Sequence, residues 1–143
     1  MKISESNTYS AEVLAVSHGA VNDEVEVVLD GGNERLTSII TNKSVKLLGI
    51  AQGKKVTVLF TQSSVILLAD SDGIRFSARN QLAGTVNSIK EGVVNARVSV
   101  RLDCGESITA MISIDSLKSL GLEAGTRVTA LIKASNVILG TRE

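Results

Sequence analysis

The sequence predicts an all-β protein built twice over, with one short helix in each copy. Three observations carry that prediction: an internal repeat running nearly end to end, period-2 alternation of apolar and polar residues through most of each copy, and one stretch per copy where helical spacing replaces the alternation. Residues 4–67 lie over residues 77–139 with an offset of 73 up to Gly32 and 72 beyond it. Asn7 and Asn80, Gly19 and Gly92, Asn22 and Asn95, Ser44 and Ser116, Gly49 and Gly121, Gly53 and Gly125, and Ser63 and Ser135 coincide. Residues 1–69 therefore read as a first domain and 76–143 as a second, joined by the polar, glycine-containing linker 70–75. With 143 residues to share, each unit falls near the lower limit at which a domain holds together alone.

Taken in order, the alternation marks strands at 11–17, 23–30, 34–40, 54–60 and 64–69, with counterparts at 84–89, 96–102, 107–113, 126–132 and 136–140. Between the third and fourth strands, "TNKSVKLLG" and "SIDSLKSLG" read as helices. Thr41 and Ser113 stand where N-caps belong, and Gly49 and Gly121 where left-handed C-caps belong. Five strands with a helix after the third is the order of an OB-fold, so the chain is read as two tandem OB-fold-like, five-stranded Greek-key barrels.

Composition removes several function classes. Fifteen Lys and Arg balance fifteen Asp and Glu, so no whole-molecule field draws in a polyanion, and with two Phe, one Tyr and no Trp the chain lacks the stacking residues of single-stranded nucleic-acid binders. The expectation is no nucleic-acid partner. No apolar run approaches the ~20 residues that span a bilayer, and the N-terminus lacks the apolar stretch of a signal peptide; a soluble, cytoplasmic protein with no membrane partner is expected. The lone Cys104 and lone His18 form no cluster for a metal cation, and neither they nor any paired carboxylates suggest catalysis.

What remains is a set of donors. Ser77 and Arg79 are two apart, as are Lys133 and Ser135, so in extended chain each pair points to one side; Ser113 and Ser116 sit at a helix start, where free N–H groups favour an anion. Brought together, they suit a small tetrahedral dianion, whose oxygens accept from every direction. A protonated oxyanion would need an acceptor in return, so sulfate, molybdate or tungstate fits such a set better than hydrogen phosphate. The first copy keeps hydroxyls without the charges: Ser4 and Ser6 stand for Ser77 and Arg79, Thr61 and Ser63 for Lys133 and Ser135, and Thr41 and Ser44 hold its helix start. The turns Gly19-Ala20-Val21-Asn22 and Gly92-Val93-Val94-Asn95 form a second candidate, since successive turn N–H groups can cradle an anion.

"SARNQLAGTV", "GVVNARVSVRL" and "SLKSLGLEAGTRVTALIKASNVIL" closely resemble the molbindin, or Mop (molybdenum-pterin-binding protein), domain, and the doubled arrangement resembles a two-domain molbindin. The resemblance implies molybdate, and also tungstate, held without catalysis or an organic cofactor, for molybdenum storage and homeostasis. It also implies a homotrimer of six barrels. One kind of site would lie between barrels, on Ser77, Arg79, Asn80, Lys133, Ala134 and Ser135 or their first-copy counterparts, with Thr41 and Ser44, or Ser113 and Ser116, from the facing barrel. The other would lie on a threefold axis, at Gly19–Asn22 and Gly92–Asn95. "SESN" and "TQSS" in the first copy depart from the pattern. Neither a helix-turn-helix segment nor a nucleotide-binding motif is expected beside the barrels, and the alternative is an OB-type module for nucleic acid or a protein partner.

Overall fold

The computed structural model describes residues 1–31 and 33–142; Gly32, where the repeat offset changes, and Glu143, at the end of the second copy, lie outside the described residues. The first copy forms β1 (Ser6–His18), β2 (Asn22–Leu29), β3 (Arg35–Thr41), α1 (Asn42–Leu48), β4 (Lys55–Thr61) and β5 (Ile66–Leu68). The second forms β6 (Asn80–Glu91), β7 (Asn95–Leu102), β8 (Ser107–Ser113), α2 (Ile114–Leu120), β9 (Arg127–Ile132) and β10 (Ile138–Gly140). Both helices begin and end on the residues their sequence marks. The Thr41 hydroxyl accepts from the Ser44 N–H at 3.1 Å and the Ser113 hydroxyl from the Ser116 N–H at 3.0 Å. Gly49 and Gly121 close the helices at φ 67° and 61°, a conformation that costs glycine nothing and other residues a steric clash.

β1 and β6 start at Ser6 and Asn80, earlier than the alternation indicates. The inward residues there are Asn7 and Asn80, only 6% and 3% exposed, and a polar residue at a core position hides the strand from a hydrophobicity pattern. Each long strand serves two partners. β1 pairs with β4 over Ser6–Glu12 and with β2 from Ala11 to His18, with a register shift between Val13 and Ala15. β6 repeats this with β9 and β7, shifting between Val86 and Ser88. Such bulges sharpen the twist and curl each sheet into a half-barrel.

Five strands per copy were expected, and the structure shows which strand closes each sheet. The sheets run β10-β4-β1-β2-β3 and β5-β9-β6-β7-β8, so each takes its last strand from the other copy. One-turn 3-10 segments at Gln62–Ser64 and Ala134–Asn136 carry the chain across. The crossing is fastened by the buried Ser38 hydroxyl, which donates to the Val137 carbonyl at 2.6 Å. An apolar alternation specifies that a strand is half-buried and leaves its partner open, which is why the exchange left no mark on the pattern. The two sheets share one contiguous buried cluster, with Val58 and Phe60 in the first and Ala130 and Ile132 in the second. Two units too small to be stable alone are thus interlocked.

Candidate functional site

The exchange creates two seams, and the donor set lies on one of them. Asn80 and Ile132 are register partners, so the segment entering β6 and the segment leaving β9 run side by side. The Asn80 amide fixes them against the first copy: its nitrogen donates to the Thr37 carbonyl at 2.9 Å and its oxygen accepts from the Thr37 N–H at 2.8 Å. One N–H and the oxygen of its buried amide are thus engaged by β3, which fixes the residue next to Arg79. Around that anchor, Ser77, Ala78 and Arg79 meet Lys133, Ala134 and Ser135 in a cavity of about 330 Å³, walled by Ile39, Ile66, Phe76 and Leu131.

Arg79 reaches across this second seam to the Glu24 carboxylate on β2, bonding it through both terminal nitrogens. Glu24 is the register partner of Ile39, which places the carboxylate beside the cavity wall. The Arg79 hydrogen bond holds the Glu24 carboxyl below the usual carboxylate range, and Glu24 in turn raises the guanidinium. Thr41 and Ser44 lie just past the cavity, because Thr41 is two residues beyond Ile39 on the same strand face. Within one chain neither they nor Ser113 and Ser116 line it.

The first seam has the same frame and other charges. Asn7 exchanges two 2.8 Å bonds with the backbone of Thr109 on β8, as Asn80 does with Thr37, and the Tyr9 hydroxyl donates to the Ser107 carbonyl at 2.6 Å. Ser6 and Thr61 are register partners, and the Ser63 hydroxyl donates to that of Thr61 at 3.3 Å, while Ser4 precedes them on the exposed entry to β1. The cation here is Arg97 on β7, which bonds Glu5. Neither residue stood out in the sequence. The signal that could have found them is in the repeat alignment, where Glu24 falls opposite Arg97 and Ala78 opposite Glu5.

The two turns differ as well. A Cβ on Gly19 would meet the Asn22 carbonyl oxygen at 2.4 Å and one on Gly92 the Asn95 carbonyl oxygen at 2.9 Å, so both turns need glycine for close approach. In the first, the buried Asp23 carboxylate accepts from the Gly19 N–H at 3.2 Å, pairs with His18 Nδ1 at 2.9 Å and takes a further bond from the Asn42 amide. Burial alone would push the Asp23 carboxyl up; the bonds from His18, Gly19 and Asn42 outweigh it and hold it low. In the second turn Ala96 and Ile114 replace Asp23 and Asn42, and Gly92 N–H bonds the Asn95 carbonyl at 2.8 Å. The apolar tips are exposed, Val93 at 97% and Val94 at 71%, as is Val21 at 69%. Among the described residues no His, Cys, Asp and Glu group could hold a metal ion, and no helix is long and apolar enough to cross a membrane.

Comparison with known proteins agrees with this architecture. Residues 3–67 and 77–139 each match the TOBE domain. The chain is 43% identical over 139 residues to the molybdenum-pterin-binding protein MopA of Rhodobacter capsulatus, covering 97% of this chain and 52% of MopA. It is 40% identical over 139 residues to the molybdenum transport protein ModE of Azotobacter vinelandii, covering 97% of this chain and 51% of ModE. The chain thus spans about half the length of the curated relatives it matches. Among solved structures it superposes on the molybdate-bound form of the cytoplasmic molybdate-binding protein ModG with a TM-score of 0.93 at 44% identity, covering 99% of this chain and 100% of that one.

Proposed function

We infer function from this premise: the chain belongs to the TOBE-domain family and, within it, to the tandem molbindins, which are binding proteins rather than enzymes. Its ligand is molybdate, with tungstate as a close substitute, taken up as the intact oxyanion and held for molybdenum storage and homeostasis. The observation that carries this reading is the second-seam cavity, where Ser77 and Arg79 meet Lys133 and Ser135, residues far apart in sequence and rich in donors. Two cations and two hydroxyls suit a dianion that accepts on every side. The molybdate-bound relative of the same fold supports the choice of anion, and its cytoplasmic location supports the same compartment here.

The working form is a homotrimer. Exposed Val21, Val93 and Val94 at the turn tips and Leu47 on α1 support burial against further copies. In that assembly the hydroxyls of Thr41 and Ser44, or of Ser113 and Ser116, complete the cavities from a facing barrel. The first-copy set of Ser4, Ser6, Thr61 and Ser63 forms a weaker pocket. Of the two turns, Gly92–Asn95 is the better axial site, because an anion at Gly19–Asn22 would sit beside the Asp23 carboxylate.

Isothermal titration of the anion-stripped protein with molybdate, sulfate and phosphate, with the oligomer mass measured on the same sample, tests the reading. Tight molybdate binding at more than one anion per chain on a trimer, with phosphate much weaker, is expected. No molybdate heat, or phosphate binding as well as molybdate, would overturn it.

A further inference from the structure

The two seams carry the same pair of opposite charges with the signs exchanged. At the second seam the cation, Arg79, stands on the entry segment and the carboxylate, Glu24, on the facing strand β2. At the first seam the entry segment carries the carboxylate, Glu5, and the cation, Arg97, comes from the facing strand β7 at the position that matches Glu24. Arg97 is the register partner of Met111, as Glu24 is of Ile39, so the two residues stand at equivalent places on their walls.

We propose that Arg97 is the anion-binding cation of the first pocket, supplied from the opposite wall to replace the charge that Ser6 lacks. This assignment rests on the reading of the second pocket as an oxyanion site. Its independent support is that Arg97 is incompletely satisfied: a terminal nitrogen bonds Glu5, while Nε is buried and has no partner. An unpartnered buried donor is rare and calls for an acceptor. A guanidinium that served only as a surface ion pair would keep that nitrogen in water. Arg97 and Glu5 also line a cavity of about 410 Å³ with Lys90, Glu91 and the Gly92 turn, which leaves room beside the guanidinium, while Ser4, Ser6, Thr61 and Ser63 stand outside that lining.

The charge balance fixes the rank of the two pockets. Arg79 and Lys133 face one carboxylate, Glu24, at the second seam, whereas at the first, where Thr61 stands in place of Lys133, Arg97 and Lys90 share their cavity with Glu5 and Glu91. A dianion meets a net positive pocket in one case and a neutral one in the other. The first pocket is the weaker site, and Glu5 competes with the anion for Arg97.

The test is molybdate titration of the full chain carrying Arg97→Gln, Glu5→Gln or Arg79→Gln, each checked for unchanged melting temperature and oligomer mass. Arg97→Gln is expected to remove a weak class of sites and leave the tight class, Arg79→Gln to weaken the tight class about tenfold or more while sparing the weak one, and Glu5→Gln to strengthen the weak class several-fold. If the unaltered chain binds tightly and Arg97→Gln and Glu5→Gln leave every class unchanged, the role of Arg97 is overturned and the oxyanion reading stands. If the unaltered chain binds no molybdate, both fall.

Discussion

At one seam Ser77, Arg79, Lys133 and Ser135 share a cavity beside Glu24; at the other, Ser4, Ser6, Thr61 and Ser63 stand near Glu5 and Arg97. The amide anchors and the helix caps are the same in both, while the Ser38 and Tyr9 hydroxyl bonds each serve one seam only. Asn80 fastens to Thr37 as Asn7 fastens to Thr109, and the caps Thr41 and Ser113, Gly49 and Gly121 match in kind and geometry. The residues that differ are the charged ones on the pocket walls, the fastening hydroxyls Tyr9 and Ser38 against Leu82 and Ala110, and, in the turns, Asp23 and Asn42 against Ala96 and Ile114. The interlocked fold demands its anchors twice, because each sheet depends on the other copy for a strand. The pocket walls are under no such demand, and the proposed function assigns the tighter site to the seam with the surplus of cations.

The largest expected effect is on the shared frame. Asn7→Ala or Asn80→Ala leaves a half-buried N–H and carbonyl on the opposite copy without partners, and each should cost about 1–3 kcal/mol in chemical denaturation. Similar losses at the two positions would confirm equal anchoring; a neutral Asn7→Ala would show that the first seam is held by something else. Next comes Arg79→Ala, which should weaken molybdate binding about tenfold or more, since charge-assisted bonds to an oxyanion are the strong ones. Titration would read the loss, and Ser6→Ala at the matching position should change affinity far less.

Glu24→Gln should act in the opposite direction and more modestly. Glu24 engages the guanidinium that the proposed function assigns to the anion, so replacing the carboxylate by an amide should raise molybdate affinity a few-fold. The smallest effect is at the first turn. Asp23 is held below the ordinary carboxyl pKa near ~3.9, so its ionised form stabilises the fold above that value, and the contribution is lost as pH falls through the lower folded value. Asp23→Asn should therefore flatten the fall in melting temperature between about pH 5 and pH 3, measured beside the unaltered chain. The turn at Ala96 has no such group.

Much of this was legible in the sequence. Two copies, their strands and capped helices follow from alternation, cap residues and the repeat offset; the meeting of Ser77 and Arg79 with Lys133 and Ser135 does not, and only the family resemblance implied it. The origin of β1 at Ser6 was hidden because Asn7 is polar and inward. Exchange of β5 and β10 was hidden because "ILL" and "ILG" suit either sheet. Arg97 was hidden for a related reason: its role depends on the strand exchange that brings β7 of one copy beside the entry segment of the other. Asp23 reads as an ordinary turn carboxylate until the structure places it beneath the Gly19 N–H.

The inequality of the two seams can be seen most directly with a heavier anion. Crystals equilibrated with limiting tungstate and measured at the tungsten absorption edge would give one anomalous peak height for each seam. A clearly higher peak beside Arg79 and Lys133 than beside Arg97 and Glu5 is the predicted result. Equal peaks, or the higher one beside Arg97, would contradict the account.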